Sequence, residues 1–521
     1  MTRLYEPTSI GDVVTAVLRR FPDRVAFRQD GTELTYRQVE DTLARWVAVL
    51  RDRGLRPGEG VGLLSPNRPE AWLAQVAPAL AGGRYTALHP LGSLADHLHA
   101  CNEAELRFLL VDPAYGERAA QLLESSAAVE SVFTFGPAEV GRDIQELAAS
   151  VALDGRLGPG PHGADDVGYL LYTGGTTGVP KAATLTNRAV VAHYYGTALG
   201  WDLPERPRYL AVGPISHAAG MLVMPTLLSG GTVILQRRFD PAAWLQAIAA
   251  ERVNLSLLVP TMIYVLLDDP QLDRTDLSSL ETVIYGASPI SPGRLAEAIE
   301  RIGPVFCQIY GQTESAGQGT SLWRAEHDPS DVRALASCGR AMPFSRVAVL
   351  DDDGRPAPDG APGELCIQGP SVMQGYWKQP DLTASTLVGG WLRTGDICVR
   401  DEGGLFSIVD RKKDMIVSGG FNVFPREVED VLADHPALSA VAVIGVPDEK
   451  WGEAVKALVV LRPGARVEPA ELIELVKERK GAVYAPKTIE FLDNLPLTPV
   501  GKADKKVLRA RYWAGRDRQV S

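Results

Sequence analysis

The feature that most constrains this chain is a recurrence of short, largely apolar runs, each followed by a stretch of helical character. VGLLS (61–65), FLLVD (108–112), SVFTF (131–135), VGYLLYT (167–173), YLAVG (209–213) and TVILQ (232–236) do not alternate apolar with polar residues. Strands of this kind are buried on both faces. Segments with helical periodicity lie between them, among them 34–54, closed by Gly54, and 67–81. The alternation predicts an α/β chain built from parallel sheets covered by helices.

From about residue 340 the texture changes. RVAVLDDDGRPAPDG, GELCIQG and GLFSIVDR are short strands with Asp-Gly and Gly-Gly turns. They predict a small antiparallel, barrel-like β region. After Asp410 the chain reads as a compact α+β unit, with helices near 425–433 and 469–479 and strands at 441–446 and 456–461. Charge marks the same boundary. The 521 residues carry a formal charge of −11, yet from Asp414 onward 16 basic residues balance 16 acidic ones. The acidic excess argues against a broad nucleic-acid surface. The run Lys502, Lys505, Lys506, Arg509, Arg511, Arg516 and Arg518 reads either as a solvated helix or as a basic tail set near an anionic ligand.

Five widely spaced cysteines without a CxxC pair predict neither a disulfide framework nor a zinc ribbon, and fit a reducing, cytoplasmic setting. The longest apolar stretch, 255–267, contains Pro260 and is too short to span a bilayer, so no integral membrane segment is expected.

Five motifs carry chemistry. Tyr172-Thr-Gly-Gly-Thr-Thr-Gly-Val-Pro-Lys181 follows a buried strand and offers backbone amides, hydroxyls and one ammonium to a polyanion. It lacks the Gly-Lys-Ser/Thr of a Walker A loop. Tyr310-Gly-Gln-Thr-Glu314 sets a carboxylate at a strand end, where a hard cation and a phosphate oxygen can meet it. Trp391-Leu-Arg-Thr-Gly-Asp396 offers a carboxylate to ribose hydroxyls. Asp410-Arg-Lys-Lys-Asp-Met-Ile416 lies at the texture change, and Pro496-Leu-Thr-Pro-Val-Gly-Lys502 places a lysine in a Pro/Gly loop.

In this order and spacing, the motifs resemble those of the adenylate-forming superfamily, its acyl- and aryl-CoA ligase branch in particular. The resemblance runs from about Phe21 to Leu508 and includes Ile215-Ser-His217, Tyr285-Gly-Ala-Ser288, Gly363-Glu-Leu365 and Gly375-Tyr-Trp377. It implies an N-terminal adenylation domain over 1–410, a hinge at 411–413 centred on Lys413, and a mobile lid over 414–521. The implied reaction joins a carboxylic acid to coenzyme A through an acyl-adenylate, with ATP and Mg²⁺. A carrier protein as thiol acceptor, or a non-catalytic binding relative, is the alternative. A homodimer is an open assembly state.

By the same resemblance, Thr173, Gly174, Gly175, Thr176, Thr177, Gly178 and Lys181 hold the ATP phosphates. Glu314, with Thr173, serves the metal, and Thr313 the α-phosphate. Gly286, Ala287 and Tyr310 line up with the adenine pocket, and Asp396 and Arg411 with the ribose contacts. Ser288, Gly311, Gln312 and Ile408 belong to the same ATP- and AMP-binding set. Lys502 matches the catalytic lysine of adenylation. Ser418, Gly419 and Gly420 match the thiol channel. His217, Ala218, Gly220, Met221, Thr261, Tyr285 and Gly286 border the acyl pocket, where His217 either approaches the carboxylate or gates the pocket. The small residues there imply a roomy apolar pocket for a medium- or long-chain, polycyclic or bulky aryl acid. Two positions depart from the family pattern: Gly174 stands where Ser is usual, and Ala182 where Gly is usual.

Overall fold

A computed structural model describes residues 8–513 except 154, 174–179, 412–413, 419–420, 449 and 498–502, with the backbone alone at 411 and 422. The apolar runs become strands of two large sheets. In the eight-stranded sheet, the strands Val167–Thr173, Arg84–Ala87, Gly60–Leu64, Leu106–Val111, Ser131–Thr134 and Arg142–Asp143 run parallel. Lys181–Thr186 and Gly375–Tyr376 complete one edge in antiparallel pairing. In the nine-stranded sheet, Phe306–Tyr310, Thr282–Gly286, Leu255–Leu258, Arg208–Ala211, Thr232–Leu235 and Val25–Gln29 run parallel. The strand order turns around Arg208–Ala211, whose two neighbours both follow it in the chain. Such a switch point leaves a crevice at the strands' C-terminal ends.

The covering helices follow the predicted periodicity. Thr35 caps Tyr36–Asp52 through a capping box with Gln38, so the helix begins two residues inside the predicted stretch. Pro69–Ala81 buries nearly all its residues, because Trp72 packs on Phe27 of the other sheet and the helix lies between the two. The apolar stretch 255–267 divides into the strand Leu255–Leu258 and the helix Pro260–Leu267. No helix among the described residues is long and apolar enough to cross a membrane.

The region after 340 forms a five-stranded antiparallel sheet, in which Trp391–Arg400 pairs with both Pro362–Gln368 and Phe406–Arg411. A second five-stranded sheet follows, built on the long hairpin Leu438–Asp448 and Gly452–Leu461. Its core gathers Ile416, Val428, Leu432, Val443, Val455 and Leu472.

At the junction the backbone N–H of Arg426 donates to Asp410 Oδ2 (2.9 Å). Lys505 Nζ lies 2.8 Å from Glu429, and Arg509 lies 2.6 Å from Asp414. Burial opposes the charge on Lys505, but Glu429, Asp410 and Asp414 together hold its pKa above the usual lysine value. Two cations of the basic run are thus engaged at this junction. All five cysteines are buried free thiols, as their spacing predicts.

Candidate active site

Parallel strands deliver their C-terminal ends to one edge, and most of the predicted residues lie just beyond those ends. His217 follows Arg208–Ala211, Thr261 follows Leu255–Leu258, Gly286–Ser288 end Thr282–Gly286, and Tyr310–Glu314 end Phe306–Tyr310. Local sterics explain the glycines. A Cβ on Gly286 would stand 2.3 Å from Ile309 O, and one on Gly311 would stand 2.3 Å from the backbone of Gly317. The close approach of 311 and 317 folds the chain into a turn that presents Glu314. Ala287 beside it has φ +62°, a left-handed conformation that strains a residue with a Cβ.

Glu314 sits buried in the short turn Thr313–Ser315. Tyr376 donates its hydroxyl proton to Glu314 Oε1 at 2.7 Å, and Lys181 Nζ donates to the Tyr376 oxygen at 2.6 Å. The ammonium lies 4.0 Å from Glu314 Oε1 and 4.0 Å from the Tyr376 ring centroid. Burial lowers the Lys181 pKa, and the Glu314 charge opposes that fall. Burial next to the same carboxylate pushes the Tyr376 phenol far up, so it stays a proton donor. The Gly375-Tyr-Trp377 signature marks this tyrosine in the sequence, but only the pairing of Tyr376 with Ala183 brings it to Lys181.

A second cluster forms around Asp396, also buried. Tyr310 Oη donates to Asp396 Oδ2 at 2.6 Å, and Gln312 Nε2 donates to the same oxygen at 2.9 Å. The turn before it is set by Glu364, which accepts from Gly395 N and from Arg393, each at 2.9 Å. This gives the Gly363-Glu-Leu365 signature a physical role. Asp396 stands opposite Arg411 in register, while Ile408 stands opposite Cys398 and packs against the main core.

Asp396→Asn removes a charge that two neutral donors share. Hydrogen bonds to a charged group contribute about 1.5–3 kcal/mol. The ATP KM is therefore expected to rise about 10- to 100-fold with the acid KM little changed. Pyrophosphate exchange titrated separately with each substrate checks this.

On the apolar side, Ala218–Leu222 form a tight turn after His217. A Cβ on Gly220 would lie 1.9 Å from Ile215 O, so only glycine closes it. Met221 reaches the backbone of Gly317, which ties this turn to the Glu314 turn. Thr261 is exposed at the start of its helix. Tyr285 is turned into the core: its hydroxyl donates to His327 Nε2 (2.9 Å) and its ring packs on Phe306, so its backbone borders the strand end. His217 Nδ1 lies 2.9 Å from Ser216 Oγ, and burial lowers its pKa to about 3. Two histidines that the motifs do not mark belong here as well. His193 lies buried against the backbone of Met221 and Ala316, and His89 packs on His217.

Thr173 Oγ1 is 3.4 Å from Lys181 O, at the base of the predicted phosphate loop. Ser418 is buried and pairs with Phe421 and Gly452. Gly174, Gly175, Thr176, Thr177, Gly178, Lys413, Gly419, Gly420 and Lys502 lie outside the described residues, as does the Arg411 side chain.

Among the described residues no three His, Cys, Asp or Glu gather as a metal cluster. At the first cluster the carboxylate is that of Glu314, and both Tyr376 and Lys181 approach its Oε1, leaving Oε2. That donor set fits Mg²⁺, which takes one or two carboxylates and completes its shell with phosphate and water.

Residues 14–377 match the AMP-binding enzyme family, and 427–502 match the AMP-binding enzyme C-terminal domain. A medium/long-chain-fatty-acid–CoA ligase of Mycobacterium tuberculosis is 45% identical, over 99% of this chain and 92% of that protein. A feruloyl-CoA synthase of an Amycolatopsis species is 38% identical, over 95% and 97% respectively. Among solved structures, an amide bond synthetase from Marinactinospora thermotolerans superposes with a TM-score of 0.90 at 34% identity, over 97% of this chain and all of the other.

Proposed function

Because the chain belongs to the AMP-binding enzyme family, we propose that it is an ATP-dependent carboxylic acid:CoA ligase working in two half-reactions. In the first, a carboxylate oxygen attacks the α-phosphorus of ATP in line and pyrophosphate leaves. In the second, the CoA thiol loses its proton, its sulfur attacks the acyl carbon, and AMP leaves.

The obstacle to the first step is charge, since an anion must approach a polyphosphate. Catalysis therefore rests on positioning and neutralisation. Thr173 to Lys181 cradle the phosphates, and the Lys181 ammonium, fixed by Tyr376, sets positive charge beside them. Glu314, with Thr173, would hold Mg²⁺, which supplies Lewis-acid polarisation of the phosphoryl oxygens. Asp396 takes the ribose, aided by Arg411. Gly286, Ala287 and Tyr310 take the adenine, where the small residues 286 and 287 leave room for a flat ring. Lys502 bridges the carboxylate and the α-phosphate as a mobile point charge. The chain divides into 1–410 and 414–521. Rotation about Lys413 withdraws Lys502 and brings Ser418, Gly419 and Gly420 to the thiol. Gly174 lacks the usual hydroxyl donor, worth about 0.5–1.5 kcal/mol, so ATP is held more weakly unless another donor compensates.

The acid is a medium- or long-chain, polycyclic or bulky aryl acid. His217 to Met221 line the pocket with small and apolar groups, and the two CoA-ligase relatives act on acids of these classes. Buried free thiols fit a reducing cytoplasm.

The observation that carries the reading is the pair of clusters Lys181–Tyr376–Glu314 and Tyr310–Asp396–Gln312, which join the end of Phe306–Tyr310 to two other sheets. Purified protein with ATP, Mg²⁺ and pooled fatty, aryl and polycyclic acids, with and without CoA, tests it by mass spectrometry. Acyl-CoA is expected. Acyl-AMP that never passes to CoA would move the acceptor to a carrier protein, and pyrophosphate release with no acid present would overturn acid activation.

A further inference from the structure

His89 lies two residues beyond the strand Arg84–Ala87 and His217 six beyond Arg208–Ala211, so two separate sheets bring them together. Their ring centroids are 4.5 Å apart at an interplanar angle of 71°, an edge-to-face contact. The His89 side is firmly built. Arg118 donates to Gly92 O and to His97 Nδ1, each at 3.0 Å. A guanidinium only donates, so His97 carries its proton on Nε2 and gives it to His89 O at 2.9 Å. The backbone N–H of Leu91 donates to His89 Nδ1 at 3.1 Å, which leaves the His89 proton on Nε2. Gly92 is required here, because a Cβ would stand 2.5 Å from His97 Nε2. A half-buried arginine, through the buried His97, thus orients one imidazole against another.

We propose that His89 is a positioning residue of the acid-activating site, one that holds the His217 ring at a fixed angle, dry and uncharged, beside the Ala218–Met221 turn. The consequence rests on the ligase reading, in which His217 meets the substrate carboxylate. A neutral ring orients that carboxylate through one hydrogen bond and adds no second cation to the one that Lys502 supplies. The neighbouring charges agree. Arg118 and Asp96 act on His97, one step back from the pair, His89 is the charge that reaches His217, and burial lowers the pKa of both His89 and His217.

The test uses full-length protein labelled at histidine ¹³Cε1, with His217→Asn identifying the His217 signal. In the parent protein His217 should stay uncharged well below the ordinary value of about 6.5. His89→Ala should let water in and raise its midpoint by about one unit or more. His89→Phe, which keeps the ring but not the nitrogens, should restore the low midpoint. In acid-dependent pyrophosphate exchange, His89→Ala should raise the acid KM about tenfold with the ATP KM unchanged, and His89→Phe should stay within about threefold. An unmoved His217 signal in His89→Ala, or a His89→Phe as impaired as His89→Ala, overturns the proposal. Should His89→Ala not fold, His89→Phe decides by itself: a His217 midpoint near the ordinary value counts against it. Lack of exchange in the parent protein would sink the ligase reading, while the titration would still judge the ring contact.

Discussion

Glu314→Gln is expected to lower kcat/KM for acid-dependent pyrophosphate exchange about 10²- to 10³-fold while the protein stays folded. The two effects separate because they arise from different atoms. The amide oxygen can still accept from Tyr376, so the 2.7 Å bond and the shape of the turn persist. What is lost is the negative charge, which Lys181 faces at 4.0 Å and which would bind Mg²⁺. Removing one fixed electrostatic partner of a developing charge typically costs about 3–4 kcal/mol at the transition state. The stability cost is smaller, about 1 kcal/mol, since the Lys181 amine keeps the Tyr376 hydroxyl as acceptor. Raising Mg²⁺ should recover part of the rate by mass action. Thermal melting, together with exchange rates at graded Mg²⁺, checks both halves. A large fall in melting temperature would mean that Glu314 is structural first.

Lys502→Ala should divide the two half-reactions. Adenylation is expected to fall about 10²- to 10³-fold, because a cation between carboxylate and α-phosphate is needed only while charge develops there. Conversion of supplied acyl-adenylate and CoA to thioester should stay within about threefold, since the proposed rotation withdraws Lys502 before that step. Lys505, three residues further along the sequence, cannot substitute freely, because Glu429 holds it at 2.8 Å. Equal loss in both assays would refute the assigned role. Single-turnover measurements with acyl-adenylate as substrate decide it, because they bypass the first step.

The sequence alone determined which segments became strands and which residue types stood at their ends. The apolar runs are strands because each lacks a polar face, and that requirement is local. Gly220, Gly286 and Gly311 were legible as glycines, and the tertiary contacts explain them, since each sits within 2.3 Å of where a Cβ would strike backbone. The five widely spaced cysteines are all buried.

What the tertiary structure decided was partnership. Tyr376 is 62 residues from Glu314 and 195 from Lys181, so no local pattern joins them. Tyr310 reaches Asp396 across 86 residues, and that bond exists because two sheets end at a common edge. Tyr285 lay in a pocket motif, yet its side chain faces the core, because successive residues of a strand point to opposite faces. His89 carried no motif at all, and its place against His217 follows from where two strands stop. Periodicity and steric exclusion act over a few residues and can be read from them. The pairing of charges and rings depends on the register and stacking of whole sheets, which only the folded chain fixes.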